Sequence, residues 1–229
     1  MPKQIPYAKE AAAHLRSIDP VMSRIIDQVG QPDFSLRPER FRALARAMIF
    51  QQLAGAAASA ILKRFIDQIG GGKFPTPEQA LKASPARLRK AGISRQKAAH
   101  LKDLARHVVG DKINFRRFAR MADAEIIADL TRVKGIGQWT AEMFLMFNLG
   151  RPDIAPVGDL GFRNGVTKAY GLQEPIKPKE LAVFAERWRP YRSMACWYMW
   201  RSLRIKLPDG SDGAPQARTA ARNRRAPQT

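Results

Sequence analysis

The sequence predicts an all-α protein, and three observations carry that expectation. Apolar residues recur at spacings of three and four along nearly the whole chain, the stretches between prolines and glycines are rich in Ala, Leu, Arg and Lys, and no segment alternates as a strand would. The 229 residues suffice for one domain or two small ones, and 45% hydrophobic with 26% charged residues is a globular composition.

Taken in order, Phe41, Leu44, Ala45, Met48 and Ile49 place an apolar stripe on one helix. After Gln51 and Gln52 a second helix is expected roughly from Ala54 to Ile69, stopped by Gly70, Gly71 and Gly72. Pro77 and Pro85 mark the first turns of two short helices, and Ser94 is the expected N-cap of a helix from Arg95 to about Val109. Asp123 is expected to cap a short helix carrying Ile126, Ile127 and Leu130, and helical spacing resumes from Trp139 to Leu149 until Gly150 and Pro152 stop it. A further helix is expected from about Asp159 to Tyr170, ended by Gly171, and two more follow Pro178 and Pro190. From Pro208 the composition shifts to Gly, Pro, Ala, Gln and Arg, so residues 1–207 are read as the helical domain and 208–229 as a disordered basic tail. Its arginines, Arg218, Arg222, Arg224 and Arg225, either add non-specific affinity for polyanions or do nothing.

Charge narrows the function. With 40 Lys and Arg against 20 Asp and Glu, the net charge of +20 favours a nucleic-acid partner over a mere aid to solubility. A single cysteine, Cys196, excludes an internal disulfide, an iron–sulfur cluster and a Cys-rich zinc site. His14, His100 and His107 are scattered, so no catalytic metal is expected. No apolar window approaches the roughly 18 residues of a membrane span, and a soluble, intracellular, cytoplasmic protein is expected.

The most specific local string is Val133-Lys134-Gly135-Ile136-Gly137-Gln138-Trp139-Thr140-Ala141, set between two helical segments. Two glycines one residue apart permit a tight turn, admit a phosphate without Cβ clashes and leave the first N–H groups of the next helix free for an anion. The glycines alone fit an ordinary helix-to-helix turn equally well. The full string favours phosphate: Val133 and Ile136 anchor the turn, Lys134 adds a cation, and Gln138 and Thr140 add donors. Such contacts position a backbone without reading its sequence. Asp159, after Val157 and Gly158, is most simply the N-cap of the next helix. N–H dipoles there also keep a carboxylate ionised, and a fixed negative charge can stabilise a positive one that develops beside it. Attraction between unit charges about 4 Å apart at an effective dielectric near 20 is about 4 kcal/mol, roughly a thousandfold in rate.

Four strings, QQLAGAAASAILKRF (51–65), GISRQKAAHLKDLA (92–105), VKGIGQWTAEMF (133–144) and PVGDLGFRNGV (156–166), give the chain a resemblance to the helix-hairpin-helix (HhH-GPD) DNA glycosylases, within them the alkylpurine branch of the 3-methyladenine DNA glycosylase II type. The likeness runs from about Phe41 to Leu203. It implies two helical subdomains flanking a cleft, damaged double-stranded DNA as partner and a monomer as the working form. The expected reaction is removal of alkylated purines, of the 3-methyladenine and 7-methylguanine type, during base excision repair. Asp159 matches the catalytic aspartate, stabilising the sugar cation, orienting water, or both. Bifunctional relatives carry a nucleophilic lysine two residues after the second glycine; here that residue is Trp139, so base removal without a lyase step is expected. Lys134 is read as a phosphate contact.

The same resemblance puts Trp139 and Tyr191 in the base pocket, with Met143 and Phe50 as further candidates to line it, though each also reads as an ordinary core residue. Electron-rich rings favour a cationic alkylated base. Leu53 occupies the place of the side chain wedged into the vacated stack, Gln52 that of a contact to the orphan base, and Arg95 and Lys97 are expected to meet phosphates. Main-chain carbonyls of Thr131, Val133 and Ile136 match a structural site for K⁺ or Na⁺. Departures concern lesion range: Ala54-Gly55 replaces a small hydroxyl residue, Met143 an aromatic, and there is no room for an extra N-terminal β-domain. A non-catalytic helix-hairpin-helix protein that recognises damaged or abasic DNA is the alternative, with Asp159 only a cap.

Overall fold

The computed structural model describes residues 3–33, 35–36 and 39–205, so the expected tail at 208–229 lies outside the described residues. Twelve α-helices follow one another among them: α1 (Ala8–Ile18), α2 (Pro20–Val29), α3 (Arg40–Phe50), α4 (Gly55–Gly70), α5 (Pro77–Lys82), α6 (Pro85–Lys90), α7 (Arg95–Val109), α8 (Asp123–Thr131), α9 (Gln138–Phe144), α10 (Leu160–Ala169), α11 (Pro178–Phe184) and α12 (Arg192–Ser202). The all-α expectation holds, with one addition: two-residue strands Lys3–Gln4 and Ser35–Leu36 pair antiparallel and bracket α1 and α2. No described helix is long and apolar enough to cross a membrane.

Caps set most boundaries. The side chains of Thr76, Ser84 and Ser94 each accept the N–H three residues on, Gln79, Arg87 and Lys97, satisfying donors that have no partner inside the helix. Gly71 ends α4 in the left-handed conformation at φ +65°, where a Cβ is costly. Asp123 departs from the expectation. It is the first residue of α8, Ala122 is the cap, and the Glu125 carboxylate satisfies the Ala122 N–H instead. The helix expected at Trp139–Leu149 begins one residue earlier and passes from α9 into a π-helical turn, Leu145–Leu149, before Gly150 stops it at φ +68°. Such wide turns recur at functional sites because they re-aim side chains.

The helices pack in two groups. α3 lies against α4, α7 and α9, with α5 and α6 on α7 and α8 on α9, so the middle of the chain forms one group. α1 and α2 lie against α12, which packs on α10, so both ends of the described chain share the other. Buried Asp19 ties that second group together. It caps α2 through the N–H groups of Val21 (2.9 Å) and Met22 (3.2 Å), and its second oxygen accepts the Trp188 indole N–H (3.0 Å) and the Tyr170 hydroxyl. Four donors satisfy a carboxylate that would be costly to bury alone.

Two glycines let α10 and α12 pack closely, at Gly165 backbone to backbone and at Gly161 against the Trp200 side chain. A Cβ on Gly165 would lie 2.4 Å from the Met199 carbonyl oxygen, and one on Gly161 would lie 3.0 Å from the Trp200 ring. Gly165→Ala should therefore force the helices apart, costing about 2 kcal/mol and lowering Tm by roughly 5 °C in a calorimetric scan. A variant melting with the parent would show that the close contact is not rigid.

Candidate active site and nucleic-acid interface

The hairpin between α8 and α9 is anchored by buried Val133 and Ile136 and closed by the bond from Ile136 N–H to Val133 O, 3.1 Å. Gly135 is demanded twice: its φ is +87°, and a Cβ would lie 2.4 Å from His100 Nδ1. Gly137 is different. Its backbone is extended (φ −92°, ψ 173°) and nothing lies within 4 Å of the place its Cβ would occupy, so the turn does not require it, contrary to the expectation for both glycines. What Gly137 keeps open is the approach to the first turn of α9. There the N–H groups of Gln138, Trp139 and Thr140 precede the first intrahelical bond, Ala141 N–H to Gly137 O.

Two neighbours clamp the hairpin from behind. The carboxylate of Asp103 on α7, itself buried, accepts the Lys134 backbone N–H (3.0 Å), and the Gln51 side-chain amide donates to Gly135 O (2.9 Å). The Lys134 side chain is left exposed.

Asp159 is the N-cap of α10 and more. Its Oδ1 accepts the Phe162 N–H (2.6 Å) and the Trp200 indole N–H (2.7 Å), and its Oδ2 accepts the Trp139 indole N–H (2.8 Å). All three donors stabilise negative charge, and they orient the carboxylate between the two helix groups. Trp139 is 52% exposed and Leu160, next to the carboxylate, is 63% exposed, so apolar surface flanks it. Gly161 keeps the space that Trp200 occupies.

A cavity of about 280 Å³ opens between α3 and α9, with Trp139, Met143 and Phe147 on one wall and Arg42, Arg46 and Ala47 on the other, and Trp139 links it to the Asp159 carboxylate. Phe147, from the π turn, stacks on Trp200 with centroids 6.0 Å apart and planes at 14°, which joins the cavity wall to Asp159. Trp139 and Met143 both line this cavity. Phe50 does not line the cavity; it sits at the end of α3 beneath the Arg46 guanidinium, 4.0 Å from its ring centroid. Tyr191 is the larger correction. Its hydroxyl donates to Glu10 (2.6 Å), its ring stacks on Tyr7 (5.9 Å) and meets His14 edge-on (5.4 Å), so it belongs to the α1 contact. Trp200, nine residues further along α12, is the aromatic that reaches Asp159, and the sequence reading missed it. Three aromatics follow Tyr191 at positions 197, 198 and 200, and periodicity does not say which faces the carboxylate.

The remaining expected contacts divide. Leu53 is 39% exposed and Gln52 beside it takes a left-handed φ of +54°, so this turn presents an apolar side chain to solvent. Arg95 is exposed at the start of α7. Lys97 points inward: its Nζ donates to the Ile49 and Gln51 carbonyls, 2.7 Å each, and burial lowers the ammonium below the ordinary lysine range, so it faces protein and not phosphate. Thr140 is buried at 7% exposure, which removes its hydroxyl from the surface. Gln138 is exposed but its side-chain amide donates to Glu142 (2.9 Å). Among the described residues no cluster of three His, Cys, Asp or Glu suits a metal ion.

Comparison with known proteins places this arrangement. Residues 45–190 match the family described as HhH-GPD superfamily base excision DNA repair protein. DNA-3-methyladenine glycosylase 1 of Schizosaccharomyces pombe is 36% identical over 202 residues, which cover 86% of this chain and 88% of that protein. The alkylbase DNA glycosidase-like protein mag2 of the same organism is 31% identical, covering 84% and 92%. The S. pombe 3-methyladenine DNA glycosylase structure in complex with abasic DNA matches with a TM-score of 0.75 and 34% identity, covering 86% of this chain and 97% of that one. A DNA-3-methyladenine glycosidase structure from Bacillus halodurans matches at 0.76 and 35%, covering 88% and 91%.

Glu142 supplies a test of the site's electrostatics. Burial raises its carboxyl above the ordinary 4.5, the Asp159 charge pushes the same way, and the Gln138 bond opposes both. A folded value above the unfolded one means that its stabilising contribution is complete below about pH 4.5 and is lost as pH rises through the raised value. Glu142→Gln should therefore melt higher than the parent at about pH 8 and lose that advantage at about pH 4. The same difference in Tm at both would contradict this assignment.

Proposed function

The chain belongs to the HhH-GPD superfamily of base excision DNA repair proteins, and on that premise we propose that it is a monofunctional DNA glycosylase removing alkylated purines from duplex DNA. The observation that carries this reading is the Asp159 carboxylate, held by two indole N–H groups, one of them from Trp139, which also lines the aromatic cavity. A mere N-cap needs the Phe162 N–H; it does not need Trp139 and Trp200.

A purine inside the duplex is out of reach, so it is flipped toward Trp139, Met143 and Phe147, whose faces suit a cationic alkylated ring. Exposed Leu53 fills the gap. The hairpin N–H groups, Lys134 and Arg95 hold the phosphates, in keeping with the net charge of +20. The two helix groups then act as subdomains on either side of the reacting sugar, one contributing Trp139 and the other Asp159.

Heterolysis of the C1′–N bond sends the electron pair to the alkylated base, which leaves neutral, and develops positive charge at C1′. Asp159 stabilises that charge, and water adds at C1′ and loses a proton, for which the same carboxylate is an acceptor. Trp139 stands where a lyase needs an amine, so the product is an abasic site and the strand stays intact. 3-Methyladenine, after the S. pombe glycosylase, and 7-methylguanine, which carries the same kind of alkylated cationic ring, are the proposed substrates. The main-chain carbonyls of Thr131, Val133 and Ile136 are neutral hard-oxygen donors of the kind that holds K⁺ or Na⁺, and such an ion would brace the hairpin. The Thr131 hydroxyl is taken up by the Ile127 and Ala128 carbonyls, so only main-chain oxygens would be offered to the ion.

Mass spectrometry of bases released from a panel of alkylated duplexes tests the reading. Asp159→Asn should still fold and bind DNA, melting somewhat lower because its amide nitrogen cannot accept an N–H, while excision falls roughly a thousandfold. Trp200→Phe, which removes one donor and keeps the stack on Phe147, should lose about tenfold or more. Excision by Asp159→Asn at the parent rate, or borohydride trapping of a covalent DNA adduct, would overturn the proposal.

A further inference from the structure

The turn that presents Leu53 is held by a lysine that the reaction above does not use. α3 ends at Phe50, and the chain passes through Gln51, Gln52 and Leu53 into α4. The turn is unfavourable on its own. Gln52 takes a left-handed φ of +54°, which a residue with a Cβ avoids unless its surroundings impose it, and Leu53 holds an apolar side chain partly in water. The Ile49 and Gln51 carbonyls at this helix end lack intrahelical partners. Lys97, in the first turn of α7, donates to both at 2.7 Å. The Gln51 side chain then donates to Gly135 O at 2.9 Å, which continues the connection into the hairpin.

We propose that Lys97 is a positioning residue for strand invasion: its bonds to the Ile49 and Gln51 carbonyls fix the Gln52–Leu53 turn against the hairpin, so the side chain that enters the stack and the clamp on the backbone act as one rigid piece. This rests on the glycosylase reading and on Leu53 as the gap-filling residue. The physical reason is preorganisation. A wedge that must displace a stacked base is effective only if it does not recede, and a turn already ordered in the free protein loses less freedom on binding. Two of the three Lys97 N–H donors face protein carbonyls, which leaves this ammonium poorly placed for a phosphate.

The test compares one lesion, 7-methylguanine, in duplex and in a single-stranded oligonucleotide where no base need be displaced. Lys97→Met should lower single-turnover excision from duplex by about tenfold or more and change the single-stranded rate by less than about twofold. Fluorescence of 2-aminopurine beside the lesion should report weaker unstacking, and Lys97→Arg should restore part of it. The slope of log Kd against log salt should not change, whereas loss of a phosphate contact would lower it by about 0.9. Equal loss on both substrates, a lowered salt slope, or no loss would each overturn the proposal. If Lys97→Met fails to fold, Lys97→Gln, whose shorter amide can donate to at most one of the two carbonyls, carries the same comparison. Wild-type protein that releases no base from either substrate would defeat the glycosylase reading, while wild-type excision matched by Lys97→Met on both would defeat this inference alone.

Discussion

The Asp159 carboxylate with its three N–H donors is the constraint that the rest of the site depends on. Each donor comes from a different part of the chain: Phe162 from its own helix, Trp139 from α9 and Trp200 from α12. For all three to converge within hydrogen-bond distance, α12 must lie against α10 and α9 must begin where it does. The first condition is met by Gly161 and Gly165, the second by the hairpin. A charge placed in this way is preorganised, and little reorganisation is left for the moment when positive charge develops at a sugar.

The hairpin is likewise not self-supporting. Its glycine at φ +87° packs on His100, its Lys134 N–H is held by Asp103 and its Gly135 carbonyl by Gln51, so α7 and the end of α3 define its shape. The hairpin, the exposed Leu53 and the wall of the cavity therefore share one scaffold. Errors of even an ångström in such an arrangement are costly to a reaction that depends on geometry.

Much of the chain's organisation was legible in its sequence because the signals are local. Thr76, Ser84 and Ser94 act within three residues, glycines at 71, 150 and 171 end helices by permitting φ above zero, and the apolar stripe on α3 follows from the helical period alone. Asp159 was legible as an N-cap for the same reason. The catalytic role proposed for it rests on the likeness of PVGDLGFRNGV to a family, and that role and the cap would reside in one side chain. The assignment of Asp123 as a cap failed because Glu125, a stronger local competitor, reaches back to the Ala122 N–H.

Sequence alone thus determined the helices, the hairpin, the basic surface and the carboxylate, all of which depend on residue type and short spacing. Tertiary structure decided which aromatic stands at Asp159, where Trp200 replaces Tyr191, and whether Lys97 faces phosphate or the end of α3. It also decided that Thr140 is buried and that Gly135, unlike Gly137, is conformationally required. The reason is common to all four: a side chain's direction on a known helix is set by which neighbour packs against it, and that neighbour lies far away along the chain.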